Sequence, residues 1–523
     1  MVKRTIIIHP ILFAVYPILF LYSNNMNSIS MKDFFLPLLF ILLSASVLWY
    51  LLARVFKNTQ KGGLIVSLSL FFFFSFGYFF KIVVPQLYQL AGSFIGPRTL
   101  FSLIWGILFI IGICSIMKAD KSPPNLTTFL NLFSAFLVLF VLLTIGLRQS
   151  KKGFVFSDIQ AGKEISTHNM NSKERENLPN IYYIILDGYA RSDVLKEVFQ
   201  FDNRSFLDYL NQKGFFVADE SSSNYGQTLL SLASSLNMKY LNQQDFFHGQ
   251  TDDHYPLIRM IQNNQVVSFL KRFGYKSIGL FPNQNDLELL TFDITLKNRF
   301  GFSEFQNALL EVTPVYLILN KYIKALNPFQ NHRKRILSMF DQLGVISRKI
   351  KTPIFIYAHI LIPHPPFVFG PNGEEVINNR GFSQCMWDGS AFYEAGGTQE
   401  EYLKGYKNQA VFATKKIRET VDQILKQAHR PTVIILQGDH GSGSRLDWKN
   451  LGKTDIKERF SILNAYYFPN QAVHQYLYDS ISPVNSFRVL FNLYFKTHLE
   501  LLPDQSFSSW GGHYKFIPVR HID

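Results

Sequence analysis

Cysteine is nearly absent: Cys114 and Cys385 are the only two among 523 residues. One lies in an apolar stretch and the other in the polar half, so no bond between them is expected. A disulfide framework and a cysteine-based zinc site are both excluded. A long Lys/Arg run is also missing, although the formal net charge is +14 and the sequence pI about 9.4. Basic residues scattered in this way argue against a nucleic-acid partner. They fit a basic face near anionic lipid headgroups, together with ordinary solvated lysines. There is no internal repeat. Lys3 and Arg4 precede an apolar run as in a signal peptide, but no small-residue cleavage site follows it, and four more apolar runs come after.

Charge is unevenly placed as well as sparse. Residues are 47% hydrophobic, 15% aromatic (51 Phe) and 17% charged, and the apolar ones concentrate in the first 150 positions. Stretches at about 5–22, 34–52, 64–84, 100–117 and 128–147 each approach the ~20 residues needed to cross a hydrocarbon core. Five spans are therefore expected. Lys3, Arg4, Arg54, Lys57, Lys61, Lys118 and Lys121 would lie on the cytoplasmic side and Lys32, Lys81 and Arg98 on the other. Arg148, Lys151 and Lys152, after the last run, weaken that bias. An odd number of spans with the N-terminus inside places the rest of the chain outside a plasma (inner) membrane. The expected organisation is a transmembrane domain over 1–150, a polar linker over 151–178 and a water-soluble domain over 179–523.

Beyond residue 179, short apolar runs alternate with amphipathic segments, which predicts an α/β domain with a mainly parallel sheet covered by helices on both faces. The clearest strands are 181–186, 276–281, 353–360, 432–437 and 462–468. The apolar segment 308–326 fits a core-facing helix better than one lying on the bilayer surface.

In parallel sheets ligands bind at the C-terminal strand edges, and here polar groups of one kind gather there. Asp187 follows IYYIIL; Asp439 and His440 follow TVIILQG; His359 and His364 lie in HILIPHPPF. Two carboxylates and an imidazole suit one divalent cation such as zinc or manganese. Gly438, Gly441 and Gly443 are expected to give the loop its sharp turn. Thr228, in GQTLLSLASSL, opens a helix whose free N–H groups favour a phosphate; cation binding would lower its hydroxyl pKa and make it a nucleophile. A threonine at a helix start is ordinarily a cap and an aspartate after a strand a turn residue. Their joint occurrence, in order and at strand ends, is what points to a site.

These residues resemble the sulfatase-like branch of the alkaline-phosphatase superfamily, and the overall plan is similar to lipoteichoic acid synthases and lipid A phosphoethanolamine transferases. The resemblance implies five transmembrane helices and an extracytoplasmic alkaline-phosphatase-like domain. It implies Asp187, Thr228, Asp439 and His440 as ligands of one metal, with Thr228 the nucleophile. His364 would act on the substrate or leaving group with His359 behind it, while His513 is either a substrate or second-metal residue or a surface histidine. The implied reaction moves a lipid headgroup of phosphoglycerol or phosphoethanolamine type from a membrane phospholipid donor to an envelope glycan or lipid acceptor. Hydrolysis of a phosphoester by the same residues is the alternative. Three departures stand out. Asp187 replaces the transferases' usual glutamate, no C/S-x-P-x-R sulfatase motif occurs, and no histidine closely follows Asp-His-Gly.

Overall fold

The computed structural model describes residues 6–25, 31–90, 96–119, 124–154, 165, 177–243, 254–281, 292–296, 302–323, 327–378, 380–509 and 514–519. The chain divides into two compact units, Met1–Phe154 with Gly301–Pro328, and Val155–Phe300 with Phe329–Asp523.

The first unit carries α1 (His9–Asn25), α2 (Met31–Val55), α3 (Thr59–Leu90), α4 (Pro97–Lys118) and α5 (Pro124–Phe154). Among the described residues, four segments are long and apolar enough to cross a membrane: Asp33–Val55, Thr59–Val84, Pro97–Lys118 and Asn125–Arg148. This corrects the expectation of five. The first apolar run gives only the 17-residue α1, about 25 Å at 1.5 Å per residue. The cause is local. The Asn131 side chain accepts from the amides of Ile8 and His9, both at 3.0 Å, and Pro10 suits a first helical turn. The helix therefore starts at His9, and residues 6–8 are not helical. α1 packs against α2, α3 and α5. Leu43, Ile110 and Leu143 are exposed, as fits helices whose solvent is lipid.

Residues 302–323 belong to this first unit. Helix Glu304–Glu311 buries Phe305, Leu309 and Val312 in a cluster with Ile18, Phe74 and Val141. The core-facing reading of this segment thus holds for its first helix, with the membrane helices supplying the core. Gly77 of α3 allows the approach: a Cβ there would lie 2.2 Å from Glu311 O, and its amide donates to Val312 O at 2.9 Å. Glu311, nearly buried, meets Lys81 at 3.3 Å.

The second unit is built on a seven-stranded sheet of order β2-β7-β6-β1-β5-β3-β4. Its strands are β1 (Asn180–Leu186), β2 (Phe215–Val217), β3 (Lys276–Leu280), β4 (Ile294–Leu296), β5 (Ile354–Ile360), β6 (Thr432–Gln437) and β7 (Asn464–Tyr467). All five expected strands are present. The sheet is mixed: β6, β1, β5, β3 and β4 run parallel, while β7 pairs antiparallel with both β6 and β2. Strand composition carries no direction, which is why β7 read as one more parallel strand. β1 shows the two-sided burial that its unbroken apolar run implied. Tyr182, Ile184 and Leu186 enter one core with helix Gln399–Lys426, and Ile181, Tyr183 and Ile185 the other with helix Pro483–Phe495.

Candidate metal and nucleophile site

Three strand ends and one helix start deliver the site. β1 pairs with β5 so that Ile185 sits opposite His359, and Asp187 extends the pairing by donating its amide to Ile360 O at 3.0 Å. β6 lies on the other side of β1, with Gln437 opposite Ile185, so Asp439 emerges two residues on beside Asp187. Gly188 turns the chain after Asp187 at φ +70, a left-handed conformation that suits glycine. Its amide donates to Asp439 Oδ1 at 3.0 Å.

His359, on the face of β5 that also carries Phe355 and Tyr357, points between the two carboxylates. Its Nε2 lies 3.0 Å from Asp187 Oδ2 and 4.0 Å from Asp439 Oδ2. Asp187, His359 and Asp439 each offer an atom within 4.8 Å of the others, and all three are buried. Among the described residues, Asp187 Oδ1, Asp439 Oδ2 and His359 Nδ1 have no hydrogen-bond partner, and His359 Nε2 has only the Asp187 carboxylate beside it. Two buried carboxylates with orphaned oxygens facing one imidazole are costly without a cation, so the residues fit a divalent metal.

His440 joins from the loop after β6. Its Nδ1 donates to Gly441 O at 2.8 Å, so Nε2 is the lone-pair nitrogen. Nε2 stands 3.6 Å from both Asp187 Oδ1 and Asp439 Oδ2, and 3.2 Å from Thr228 Oγ1. Thr228 is the first residue of helix Thr228–Ser235; its N-cap is Gln227, and no side chain caps the helix. The threonine hydroxyl therefore faces the site and does no capping. Gly438, Gly441 and Gly443 serve differently from expectation, since none has a positive φ. They provide room: a Cβ on Gly441 would lie 2.1 Å from Glu458 O, and one on Gly443 2.4 Å from Asp388 Oδ1.

His364 flanks this cluster. Its amide donates to Asp187 O at 3.1 Å, its Nδ1 lies 2.6 Å from Pro365 O, and its ring centre is 6.1 Å from that of His440. Five predicted residues, Asp187, Thr228, His359, Asp439 and His440, thus converge, with His364 alongside. His513 lies outside the described residues.

Sequence reading missed the support behind them. Arg459, buried on helix Ile456–Phe460, donates from Nε to Gly226 O at 2.8 Å and from Nη1 to Asp388 at 2.6 Å and Gly441 O at 3.3 Å. Asp388 also accepts from Tyr402 Oη at 2.5 Å and lies 3.9 Å from His364 Nε2. Glu458 accepts from Ser442 Oγ and from the amide and hydroxyl of Ser444. Their only sequence signal was three ionisable residues in otherwise ordinary loop and helix text, DGSAF and KERF.

Burial and neighbouring charges set the direction in which each of these groups shifts. Burial pushes Asp187 up, but His364, His359 and His440 together hold it well below the carboxylate range. Burial lowers His359, yet Asp187 and Asp439 raise it above its ordinary value. Burial and then Arg459 lower His440. Burial raises Asp388 but Arg459, His364 and Tyr402 outweigh it, and its pKa is depressed. A carboxylate depressed in the folded state stabilises above its unfolded pKa, about 4, and loses that stabilisation as pH falls through the folded value. Asp388→Asn is therefore expected to destabilise by on the order of 3 kcal/mol at pH 7, by leaving Arg459 buried and unpaired. Thermal melts of parent and variant at pH 7 and pH 3 should show the gap narrowing in acid.

A seven-stranded α/β sheet that gathers carboxylates, imidazoles and a helix-borne hydroxyl at its strand ends defines a hydrolase-or-transferase class of enzyme. The sulfatase family profile matches residues 179–473, more than half of the chain, and the chain belongs to that family: it is a sulfatase-like enzyme. No curated protein matches it by sequence. Similar solved structures include the zinc-bound periplasmic domain of EptC from Escherichia coli, 12% identical over 68% of this chain and 95% of that one, TM-score 0.42. The membrane-integral lipooligosaccharide phosphoethanolamine transferase A from Neisseria meningitidis is 12% identical over 93% and 95%, TM-score 0.41. Phosphonate monoester hydrolase of Agrobacterium radiobacter is 13% identical over 64% and 80%, TM-score 0.38.

Proposed function

We propose that this chain is a membrane-anchored phospho-group transferase working through a covalent Thr228 intermediate. Asp187, His359, Asp439 and His440, with Thr228, would hold one divalent cation, zinc by the preference of mixed imidazole and carboxylate donors. Such a cation, when bound, supplies Lewis acidity and lowers the pKa of a hydroxyl beside it. The observation that carries the reading is the 3.2 Å contact between Thr228 Oγ1 and His440 Nε2 at the carboxylate pair.

In the first step Thr228 Oγ1 bonds to the phosphorus of a phospholipid donor, and the P–O bond to diacylglycerol breaks. The threonine proton leaves to solvent, and His364, half-buried beside the cluster, gives a proton to the departing oxygen. In the second step an acceptor hydroxyl on an envelope glycan or lipid attacks phosphorus and the bond from phosphorus to Thr228 Oγ1 breaks; the acceptor's proton passes to His364, which is thereby reset, and Thr228 Oγ1 regains a proton from solvent. In this reading the second unit acts outside the inner membrane, where such acceptors are found.

The test is turnover of headgroup-labelled phospholipid in vesicles by the full-length, zinc-loaded protein. Label appearing on a Thr228 peptide and then on an added envelope extract is the expected result. Release of free phosphorylated headgroup, with the extract unlabelled, would assign hydrolysis in place of transfer.

A further inference from the structure

Single exposed apolar side chains are ordinary on a protein surface. Two in the second unit are placed less ordinarily. Ile377, 83% exposed, and Trp387, 57% exposed, are the most exposed large apolar residues among the described ones of that unit. Both lie in the insert between β5 and helix Gln399–Lys426, and both are tied to His364 through their neighbours. Asn378 donates from Nδ2 to Phe367 O at 3.0 Å, three residues after His364, and the Val376 amide donates to Val368 O at 3.4 Å. The chain on either side of Ile377 is thus pinned, while its own side chain is left outward. Trp387 directly precedes Asp388, whose carboxylate stands 3.9 Å from His364 Nε2. Phe382 and Cys385 of the short helix Phe382–Cys385, three residues apart on one face, enter the core, and Asp388 is buried as well. Trp387, between them, faces out.

In the transfer scheme His364 gives a proton to the departing diacylglycerol oxygen. Apolar side chains that bracket His364 therefore stand where the leaving lipid must be. The path of the chain says what covers them. Phe329 is the first residue of the second unit after the chain returns from the segment that packs among the membrane helices. Its ring lies 5.2 Å from that of Phe382, and the His332 ring, one turn on, lies 5.8 Å from the same ring. Arg333 donates to Val368 O, Gly373 O and Glu374 O, just ahead of Ile377. The insert is thus held by the opening of helix Pro328–Leu343, which continues directly from a bilayer-anchored segment. Tryptophan is also the side chain that settles at the headgroup level of a bilayer.

We propose that Ile377 and Trp387 form an apolar rim that enters the outer surface of the bilayer and holds the glyceryl-ester and upper acyl-chain part of the donor lipid. The inference rests on the transfer reading above and adds to it the residues that recognise the leaving lipid. The donor's tails stay in the leaflet while its phosphorus is presented to Thr228.

Two measurements on the full-length, zinc-loaded protein test it. The first compares two forms of the same donors, an equal mixture of phosphatidylethanolamine and phosphatidylglycerol. One form has dioleoyl chains and is presented in vesicles; the other has dibutanoyl chains and is dissolved in water. Ile377→Ser combined with Trp387→Ala is expected to lower the ratio of kcat/KM for the vesicle form to that for the soluble form by at least about tenfold, the size of effect that burying one large apolar side chain produces. Trp387→Phe, which keeps an aromatic ring, should restore most of that ratio relative to Trp387→Ala. An unchanged ratio, including equal losses on both forms, overturns the proposal and leaves Thr228 transfer standing. The second measurement needs no turnover. A fluorophore is attached to Ile377→Cys in a Cys114→Ser background, in proteoliposomes of the same dioleoyl lipids. Quenching by a nitroxide carried high on the acyl chain, with little quenching by aqueous iodide, is expected. Quenching by iodide alone overturns the rim, and shielding from both quenchers assigns it to a protein partner and overturns it too. A parent inactive on both lipid forms overturns the transfer reading, and the fluorophore then decides the rim by itself.

Discussion

Thr228→Ala is expected to lower kcat/KM by at least about 1,000-fold, roughly 4 kcal/mol of transition-state stabilisation, and to abolish the covalent adduct. The same variant should keep most of its metal. Asp187, His359, Asp439 and His440 still converge without the hydroxyl, and loss of a neutral oxygen donor weakens such a site far less than loss of a carboxylate or imidazole. Elemental analysis of the parent and the variant, beside a single-turnover assay, checks both halves. Retained turnover would remove the nucleophile from the scheme. Lost turnover together with lost metal would reduce Thr228 to a structural donor.

The second large effect separates two histidines that sequence placed together. His359 Nε2 lies between Asp187 and Asp439, whereas His364 is anchored by its backbone to Asp187 O and turns its Nε2 toward Asp388. His359→Ala is therefore expected to reduce zinc affinity by about 100-fold or more, because one of a small number of donors disappears from a buried site. His364→Ala should bind zinc as the parent does and lose kcat by about 100-fold, the usual contribution of a positioned proton donor. Zinc titration by calorimetry and steady-state kinetics on the two variants give four numbers. Equal zinc affinities for both would return His359 to the substrate side of the site.

The histidine pair shows where legibility stopped. HILIPHPPF announced that an imidazole would reach the sheet edge, since a polar residue ending an apolar strand has nowhere else to go. Which of the two would face the carboxylates depends on strand alternation against β1. That register, Ile185 opposite His359, is a property of pairing and not of either segment alone. β1, β3, β5, β6 and β7 were readable because burial on both faces demands unbroken apolar runs. β2 and β4, three residues each, are too short to show any period. The five-span plan shortened to four full spans because Asn131, more than a hundred residues away, sets where α1 begins. The Arg459–Asp388 pair was invisible for a related reason. A buried salt bridge between distant segments reads, in each segment, as an ordinary surface charge.

The chain leaves the catalytic unit near residue 301, contributes Phe305, Leu309 and Val312 to the membrane helices, and returns near 328. Cleavage within 155–178 alone would consequently not set the enzyme adrift, because a second anchor, apolar and internal to its own fold, would still hold it to the bilayer. Shedding of a soluble form requires this loop-borne anchor to be severed or extracted as well.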